Sequence, residues 1–198
     1  GHEVGEVYVP ESVEYSIPIW NEGNYPLILN DGELSEQQQF SILSEFPITI
    51  APDGEGYISI QFQPDGPDYF SDILSVSTND PDNELIEIEL LGYGLMPQIE
   101  LSHTVLDFPT IHADETHTLL LTVTNIGNGD LIFSTATTAY FATADSTYTV
   151  EPENSVDVAV EFVPEYVGDY TGTMTINSND PISPAVTVEL TGSPITPT

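Results

Sequence analysis

Lysine, arginine and cysteine are all missing from this sequence of 198 residues, which contains 33 aspartates and glutamates. The formal net charge at pH 7 is −33, and only the four histidines and the amino terminus can carry a positive charge. Binding of nucleic acid and attachment to anionic lipid both depend on basic side chains. The composition therefore argues against nucleic acid as a partner, and no apolar run is long enough for direct insertion into a membrane.

The missing residue types also exclude several kinds of chemistry. Without lysine there is no Schiff-base nucleophile and no isopeptide crosslink, and without cysteine there is neither a disulfide framework nor a thiol nucleophile. The sequence contains no zinc-protease helix motif, no G-x-S-x-G elbow and no phosphate-binding loop. Carboxylates are scattered along the chain and do not form a recognisable glycosidase pair. We therefore predict a protein that is not an enzyme.

The negative charge predicts the medium in which the chain works. Self-repulsion at −33 destabilises a compact fold unless salt or divalent cations screen it, which favours a saline or calcium-containing medium. The absence of basic residues also removes the cut sites of proteases that require one. We therefore expect an extracellular or cell-surface location. Composition bias in a salt-adapted organism is an alternative origin of the same pattern.

Calcium is the one cofactor that the sequence supports, because carboxylate and amide oxygens are its preferred ligands. The predicted loops concentrate such residues, and the candidate ligands are Asn30, Asp31, Asn79, Asp80, Asp82 and Asp180. No calcium-binding loop of defined register is present. Asn-Asp-Pro clusters also form turns, since Asn and Asp side chains bond to nearby backbone and proline restricts it. Turn formation is therefore the alternative to a calcium site.

Two stretches about one hundred residues apart share one pattern. The sequence from Val150 to Gly192 aligns without a gap onto the sequence from Ile50 to Gly92. In each stretch apolar and polar residues alternate in three runs, which is typical of half-buried strands. Proline residues and Asn-Asp-Pro clusters separate the runs. Each stretch is therefore predicted to form a meander of three antiparallel strands.

The repeat predicts an all-β protein of two tandem Ig-like antiparallel β-sandwich domains, residues 1–94 and 95–198. The small residues and the proline between Gly92 and Pro97 are typical of a domain boundary. Domain 1 begins at the place that matches Leu106 of domain 2. It therefore lacks a counterpart of the segment Pro97 to His103, and we expect an uncovered sheet edge there.

Three local features of domain 1 carry predictions of their own. Pro18 within the strand Val13 to Trp20 predicts an edge or bulged position, because proline cannot donate a backbone hydrogen bond. The sequence Asn30-Asp31-Gly32 is predicted to end the strand that begins at Leu27. The segment Glu33 to Gln39 is predicted to form one helical turn.

Several motifs together resemble one known family. They are T-N-x-G-x-x-x-L-I from Thr124 to Ile132, proline at positions 52 and 152, F-x-P at Phe62 and Phe162, the N-D-P clusters, and E-L-x-G at the end of each repeat. This set resembles the Ig-like repeats of the abnormal-spindle and Hydin group, related to PapD and major sperm protein, as in bacterial choice-of-anchor surface proteins. The resemblance implies a scaffold fold without a shared catalytic residue.

Histidines and exposed aromatics supply the remaining candidate sites. His112 and His117 flank a tight turn that also contains Asp114 and Glu115, so a transition-metal site is one hypothesis and exposed hairpin histidines are the alternative. A ligand-binding platform of aromatic rings is a separate hypothesis, for which the candidates are Trp20, Tyr25, Tyr93 and Tyr140.

The function predicted from these features is that of a stalk, an adhesin segment or a fibre subunit. Self-association by strand donation is one hypothesis, with Ser193, Pro194, Ile195 and Thr196, or Gly1 to Val9, as the donated segment. The alternative is that the chain was cut from a longer tandem array or that its start was processed. A carbohydrate- or protein-binding module and an acidic mimic of nucleic acid are the other functions left open.

Overall fold

The computed structural model describes residues 1–36, 38–144 and 147–196. The chain divides into two compact units, unit 1 from Gly1 to Leu95 and unit 2 from Met96 to Thr198. Every secondary-structure element in the described residues is a β-strand, which confirms the predicted all-β Ig-like fold class.

The described residues of unit 1 form eight strands in two sheets. A five-stranded sheet has the order β1-β8-β7-β3-β5, and a three-stranded sheet has the order β2-β6-β4. The strands are β1 (His2–Tyr8), β2 (Val13–Asn21), β3 (Leu27–Leu34), β4 (Phe40–Ile42), β5 (Ile48–Ile50), β6 (Gly54–Phe62), β7 (Tyr69–Thr78) and β8 (Leu85–Leu95).

In unit 2, the residues that the structure describes form nine strands in two sheets. A five-stranded sheet has the order β10-β17-β16-β12-β14, and a four-stranded sheet has the order β13-β15-β11-β9. The strands are β9 (Ile99–Leu101), β10 (Val105–Asp107), β11 (His117–Asn125), β12 (Leu131–Thr137), β13 (Phe141–Thr143), β14 (Thr147–Val150), β15 (Ser155–Phe162), β16 (Tyr170–Ser178) and β17 (Ala185–Gly192).

The two units repeat one topology with one difference. Strands β1 to β8 occupy the same sheet positions as β10 to β17, and β1 runs parallel to β8 as β10 does to β17. The registers also agree, because Val13 pairs with Phe62 and His117 with Phe162. The extra strand of unit 2 is β9, which pairs with β11 and has no counterpart among the described residues of unit 1.

Alternation along the strands builds one core in each unit. Ile58, Ile60 and Phe62 of β6 are fully buried, as are the corresponding Val158, Val160 and Phe162 of β15. Burial of an aliphatic or aromatic side chain of this size stabilises a fold by about 1.5–3 kcal/mol. The alternating residues therefore account for most of the stabilisation that each unit gains on folding.

The predicted three-stranded meander is wrong. Strand β15 pairs with β11 and β13, whereas β16 pairs with β17 and β12 in the other sheet. The corresponding β6 and β7 are divided between sheets in the same way. The alternation of apolar and polar residues shows which face of a strand is buried. It does not show to which sheet the strand belongs, because strands of both sheets direct their apolar faces toward the same core.

Two local predictions in unit 1 are also wrong. Asn30, Asp31 and Gly32 do not end the strand, since β3 continues to Leu34 with a bulge between Leu29 and Asp31. The predicted helical turn from Glu33 to Gln39 is absent from the described residues, which omit residue 37. Leu34 is buried and keeps the alternating pattern of the strand, so packing overrides the local preference for a turn.

A close contact between a glycine and a core ring explains the repeated E-L-x-G motif. A Cβ atom at Gly92 would lie 2.6 Å from the ring of Phe62, which is fully buried. Gly192 stands in the same position against Phe162. The motif therefore leaves space for a fully buried phenylalanine ring in each core.

We predict that Gly92→Ala destabilises unit 1 by about 1–3 kcal/mol, because an extra methyl group overpacks a filled core. Denaturant unfolding followed by fluorescence measures this effect, since Trp20 is the single tryptophan and lies in unit 1. Gly66→Ala is the control, because no atom lies within 4 Å of its Cβ position. Equal destabilisation by both substitutions would contradict the explanation.

Candidate functional site

A buried asparagine organises one end of each unit. In unit 2, Asn125 is fully buried, and its Nδ2 donates to the carbonyls of Gly129 at 2.8 Å and Val150 at 2.9 Å. Its Oδ1 accepts the N–H of Gly127 at 3.0 Å. The amide therefore ties the end of β11 to the following loop and to the end of β14.

Asn21 makes the same bonds in unit 1. Its Nδ2 donates to the carbonyls of Tyr25 at 2.8 Å and Ile50 at 3.0 Å, and its Oδ1 accepts the N–H of Gly23 at 3.0 Å. The sequence Asn-x-Gly at the end of a strand thus has one structural role in both units.

In unit 2 this polar end also holds strand β9. The Oδ1 of Asn125 accepts the N–H of Gln98 at 3.3 Å, and the Oδ2 of Asp180 accepts the N–H of Ile99 at 3.0 Å. The N–H of Ile126 donates to the carbonyl of Gln98 at 2.9 Å. Two acceptor side chains therefore fix the backbone at the start of β9.

Unit 1 keeps both acceptors without the strand. Asn21 corresponds to Asn125, and Asp80 corresponds to Asp180. Asp80 instead accepts the side-chain amide of Asn83 at 2.9 Å and the N–H of Asp82 at 3.0 Å. These bonds, that of Asn83 above all, hold the pKa of the Asp80 carboxyl below its usual value.

A groove of about 730 Å³ lies along this open edge of β2. It passes the end of β2, the loop that follows and the Asn79-Asp80-Pro81 turn. Trp20 and Tyr25 line it and are 60% and 77% exposed. Pro18 also lines it, and β2 is the edge strand of its sheet, which confirms the edge position predicted from this proline.

The predicted calcium ligands take part in turn and bulge hydrogen bonds. Asn79 accepts the N–H of Ile28 at 2.8 Å, and the buried Asp180 accepts the N–H groups of Ile182 and Ser183 at 2.8 and 3.0 Å. Asp31 accepts the N–H of Gly32, and Asp82 donates its own N–H to Asp80. Within the ranges that the structure describes, no group of three or more His, Asp or Glu residues is placed to hold a metal ion. Calcium binding stays a prediction, as does any role for Asn30.

The two turn histidines have separate partners. The ring Nδ1 of His112 lies 3.0 Å from the carbonyl oxygen of Thr196, and the backbone N–H of His112 donates to the carboxylate of Glu115. His117 packs edge-on against the ring of Phe108, with 6.4 Å between the ring centroids. A transition-metal site at these residues stays a prediction.

Both predicted donor segments are paired within their own units. The N–H of Ile195 donates to Ile111 at 2.8 Å, and the carbonyl of Ile195 accepts the N–H of Ala113 at 3.1 Å. Residues Gly1 to Val9 contain β1, which pairs with β8. Donation of either segment to another chain would therefore require it to leave its own unit.

The four predicted aromatics are not one platform. Trp20 and Tyr25 meet at the groove, whereas Tyr93 is half-buried beside Tyr69. Tyr140 belongs to a ring cluster in unit 2, in which its hydroxyl bonds to that of Tyr166 and its ring lies edge-on to Tyr170. The hydroxyl of Tyr170 donates to the Tyr166 carbonyl at 2.9 Å.

Sequence reasoning missed a buried carboxylate in unit 1. Asp72 is only 4% exposed, and one of its oxygens accepts Ser35 Oγ at 2.6 Å together with the N–H groups of Ser35 and Ile73. It shares the inward face of β7 with Leu74 and Val76. An acidic residue at an inward-facing position of an otherwise apolar strand is the signal that would have identified it.

The fold places unit 2 among the Ig-like β-sandwiches. Its residues 97–193 match the model of the HYDIN/CFA65/VesB-like Ig-like domain family. The match covers unit 2 almost completely and confirms the resemblance to the Ig-like domains of the abnormal-spindle and Hydin group there.

Several solved structures are similar to this chain at low sequence identity. The ASH/PapD-like domain 7 of human CEP192 is 19% identical with a TM-score of 0.46, over 50% of this chain and 87% of that one. A Porphyromonas gingivalis W83 protein of unknown function is 13% identical with a TM-score of 0.45, over 94% and 93%. Extracellular cadherin domains 1–4 of protocadherin gamma B7 are 15% identical with a TM-score of 0.51, over 98% and 49%. No curated protein matches the sequence.

We predict that Asn125→Ala destabilises unit 2 by about 2–4 kcal/mol, because it leaves two buried carbonyl acceptors without their donor. Thermal unfolding by calorimetry measures the effect. Asn177→Ala is the matched control on an exposed face of β16, with an expected change within about 0.5 kcal/mol. A loss in Asn125→Ala no larger than in the control would contradict the role of this amide.

A second prediction concerns Tyr166, whose pKa is raised chiefly by its hydrogen bond with Tyr140. A raised folded-state pKa means that the contribution to stability is present below the unfolded value of about 10 and is lost as pH rises through the folded value. Tyr140→Phe should lower the pKa of Tyr166, observed by NMR of ring-labelled tyrosine. Tyr25→Phe, an exposed site in unit 1, should leave it unchanged. An unchanged Tyr166 in Tyr140→Phe would contradict this cause.

Proposed function

We propose that this chain is a non-catalytic extracellular structural protein that serves as a stalk, adhesin segment or fibre subunit. The observation that carries the proposal is the repetition of one strand order in two successive units, each with its own closed core. Repeated sandwich units are typical of proteins in which folded domains are linked in series. The match of unit 2 to an Ig-like domain family supports the same role.

The use of buried polar groups supports a structural role. In the described part of the chain, every buried side-chain nitrogen or oxygen has a hydrogen-bond partner. Four of these side chains form hydrogen bonds with backbone groups and so connect strands with loops. They are Asn21, Asp72, Asn125 and Asp180. Buried polar atoms in these units hold the fold together.

The surface supports a location outside the cell. The chain offers no lysine or arginine to proteases that cut after basic residues. Its exposed carboxylates are compatible with calcium and salt, which screen their repulsion. Among the described residues, no helix is long and apolar enough to cross a membrane.

Electron microscopy of the native material with a specific antibody tests this function. We expect the label on the cell surface or on filaments that extend from it. Label confined to the cell interior would overturn the extracellular proposal. Hydrolytic turnover by the purified chain would overturn the non-catalytic one.

We predict that sodium chloride raises the melting temperature of both units, because screening weakens the repulsion among 33 carboxylates. Addition of calcium in the same calorimetric experiment distinguishes general screening from binding at a specific site. General screening requires high ionic strength, whereas a specific site saturates at low calcium and is reversed by a chelator. A melting temperature that falls with added salt would contradict the electrostatic argument.

A protein- or carbohydrate-binding module is the second candidate, favoured by the exposure of Trp20 and Tyr25 in one groove. Glycan-array binding that Trp20→Ala and Tyr25→Ala both remove would support the carbohydrate form. Binding that survives both substitutions would place any ligand elsewhere.

A further inference from the structure

Two tyrosine hydroxyls join two loops of unit 2. The hydroxyl of Tyr140, in the loop between β12 and β13, is hydrogen-bonded to that of Tyr166, in the loop between β15 and β16. The ring centroids lie 5.9 Å apart, and the rings meet edge-on at 72°. The backbone also links the loops, since the N–H of Val163 donates to the carbonyl of Tyr140 at 2.8 Å. The two phenols therefore meet at a defined place within one unit.

Unit 1 joins the same two loops without tyrosine. Gln39 occupies the position of Tyr140, because each precedes the phenylalanine that pairs with the last residue of the neighbouring strand. The side-chain amide of Gln39 donates to Asp65 at 3.0 Å, and Gly66 stands where unit 2 has Tyr166. A simple bridge between these loops therefore does not require two phenols.

Tyr140 is held in an unusual backbone conformation. Its φ is +73°, a left-handed value that is unfavourable for a bulky residue. Among the described residues, the other non-glycine positions with positive φ are Asp53 and Glu153, which correspond to each other in the two repeats. The ring of Tyr140 also packs edge-on against the buried Tyr170, with 4.9 Å between the centroids. Tyr140 is therefore fixed, whereas Tyr166 is 55% exposed and has room to rotate toward it.

We propose that Tyr140 and Tyr166 form an oxidative crosslinking site, at which a haem peroxidase with hydrogen peroxide couples the two rings into dityrosine. Each phenol loses one electron and one proton, and hydrogen peroxide takes up both pairs to give two molecules of water. The two phenoxyl radicals then form one carbon–carbon bond between ring positions adjacent to their oxygens. The hydrogens displaced from these carbons move to the oxygens, so the product regains both hydroxyls and lacks two hydrogen atoms overall.

The geometry favours coupling of this pair within one chain. The unpaired electron of a phenoxyl radical is shared between the oxygen and the adjacent ring carbons, and the hydrogen bond brings these parts of the two rings together. Tyr170 is a poorer partner, because it is only 8% exposed and its hydroxyl donates to the Tyr166 carbonyl. Two chains at −33 repel each other, which slows coupling between chains at low salt.

The crosslink gives unit 2 a covalent brace that the sequence cannot obtain from cysteine or lysine. It joins positions 26 residues apart and encloses β13, β14 and β15. A covalent link of this kind restricts the unfolded chain and so stabilises the fold, as a disulfide does. By analogy with a disulfide that closes a loop of this length, the melting temperature of unit 2 should rise by about 10 °C. This modification goes beyond the proposed structural role and does not depend on it.

The test treats the full chain, in dilute solution at low salt, with a haem peroxidase and hydrogen peroxide. Mass spectrometry should show a monomer that has lost two hydrogen atoms and carries dityrosine fluorescence. Cleavage after acidic residues separates Tyr166 from Tyr170, because Glu165 and Asp169 flank Tyr166. We expect a crosslinked fragment in which residues 131–145 are joined to residues 166–169. Calorimetry then measures the melting temperature of the crosslinked monomer.

Two variants make the assignment specific. Tyr140→Phe removes one phenol and should abolish both the intramolecular crosslink and the rise in melting temperature. Tyr69→Phe is the matched control and should leave both unchanged, because Tyr69 is 59% exposed and lies beside another tyrosine, Tyr93, with 6.3 Å between the ring centroids.

Several results would overturn the proposal. They are crosslinks at Tyr69 and Tyr93 formed as readily as at Tyr140 and Tyr166, dimers linked between chains as the main product, and recovery of unmodified chain under conditions that couple free tyrosine. Crosslinking at the proposed site without a rise in melting temperature would overturn its role as a brace. All of these outcomes leave the extracellular structural role to its own test.

Discussion

Stability without positive charge is the constraint on which both units depend. Among the described residues the ion pair is that of the amino terminus with Glu89, at 3.9 Å and with a largely exposed carboxylate. An exposed pair of this kind contributes little. Cohesion therefore comes from packed apolar side chains and from neutral amides and hydroxyls that bond to backbone. Asn21 and Asn125 show this most directly, since each joins a strand end, a loop and a strand of the other sheet with one side chain.

The same constraint explains why acidic residues are tolerated at positions of low exposure. Asp180 and Asp72 are surrounded by N–H and O–H donors, which stabilise a carboxylate without a cation. Most other carboxylates lie on exposed faces of strands and in turns. The units thus separate structural carboxylates, which accept several bonds, from solvated ones, which determine how the surface responds to salt.

The sequence predicted the core better than the connections between strands. Alternation identified Ile58, Ile60 and Phe62 as inward-facing, because burial of one face imposes a period of two. It did not reveal that β15 and β16 lie in different sheets, because neighbours in a sheet are determined by the whole topology. The bulge at Asn30 and Asp31 was missed for a similar reason, since residues that favour turns also fit bulges.

The candidate site was only partly predictable. Pro18 indicated that β2 is an edge strand, and Trp20 and Tyr25 were recognised as exposed aromatics. The anchoring role of Asn125 and Asp180 was not, because these residues are distant in sequence and their shared function is visible only where both bind the backbone at the start of β9.

Pro18 has a consequence for how the protein behaves at high concentration. A long strand with one free side is a template on which identical chains can stack without limit, the first step toward amyloid. Pro18 lies in the middle of β2 and has no backbone N–H, so it interrupts the ladder of backbone hydrogen bonds after a few residues. Pro18 therefore limits how far an identical chain could extend the sheet at β2, which lowers the tendency of unit 1 to seed fibrillar aggregation.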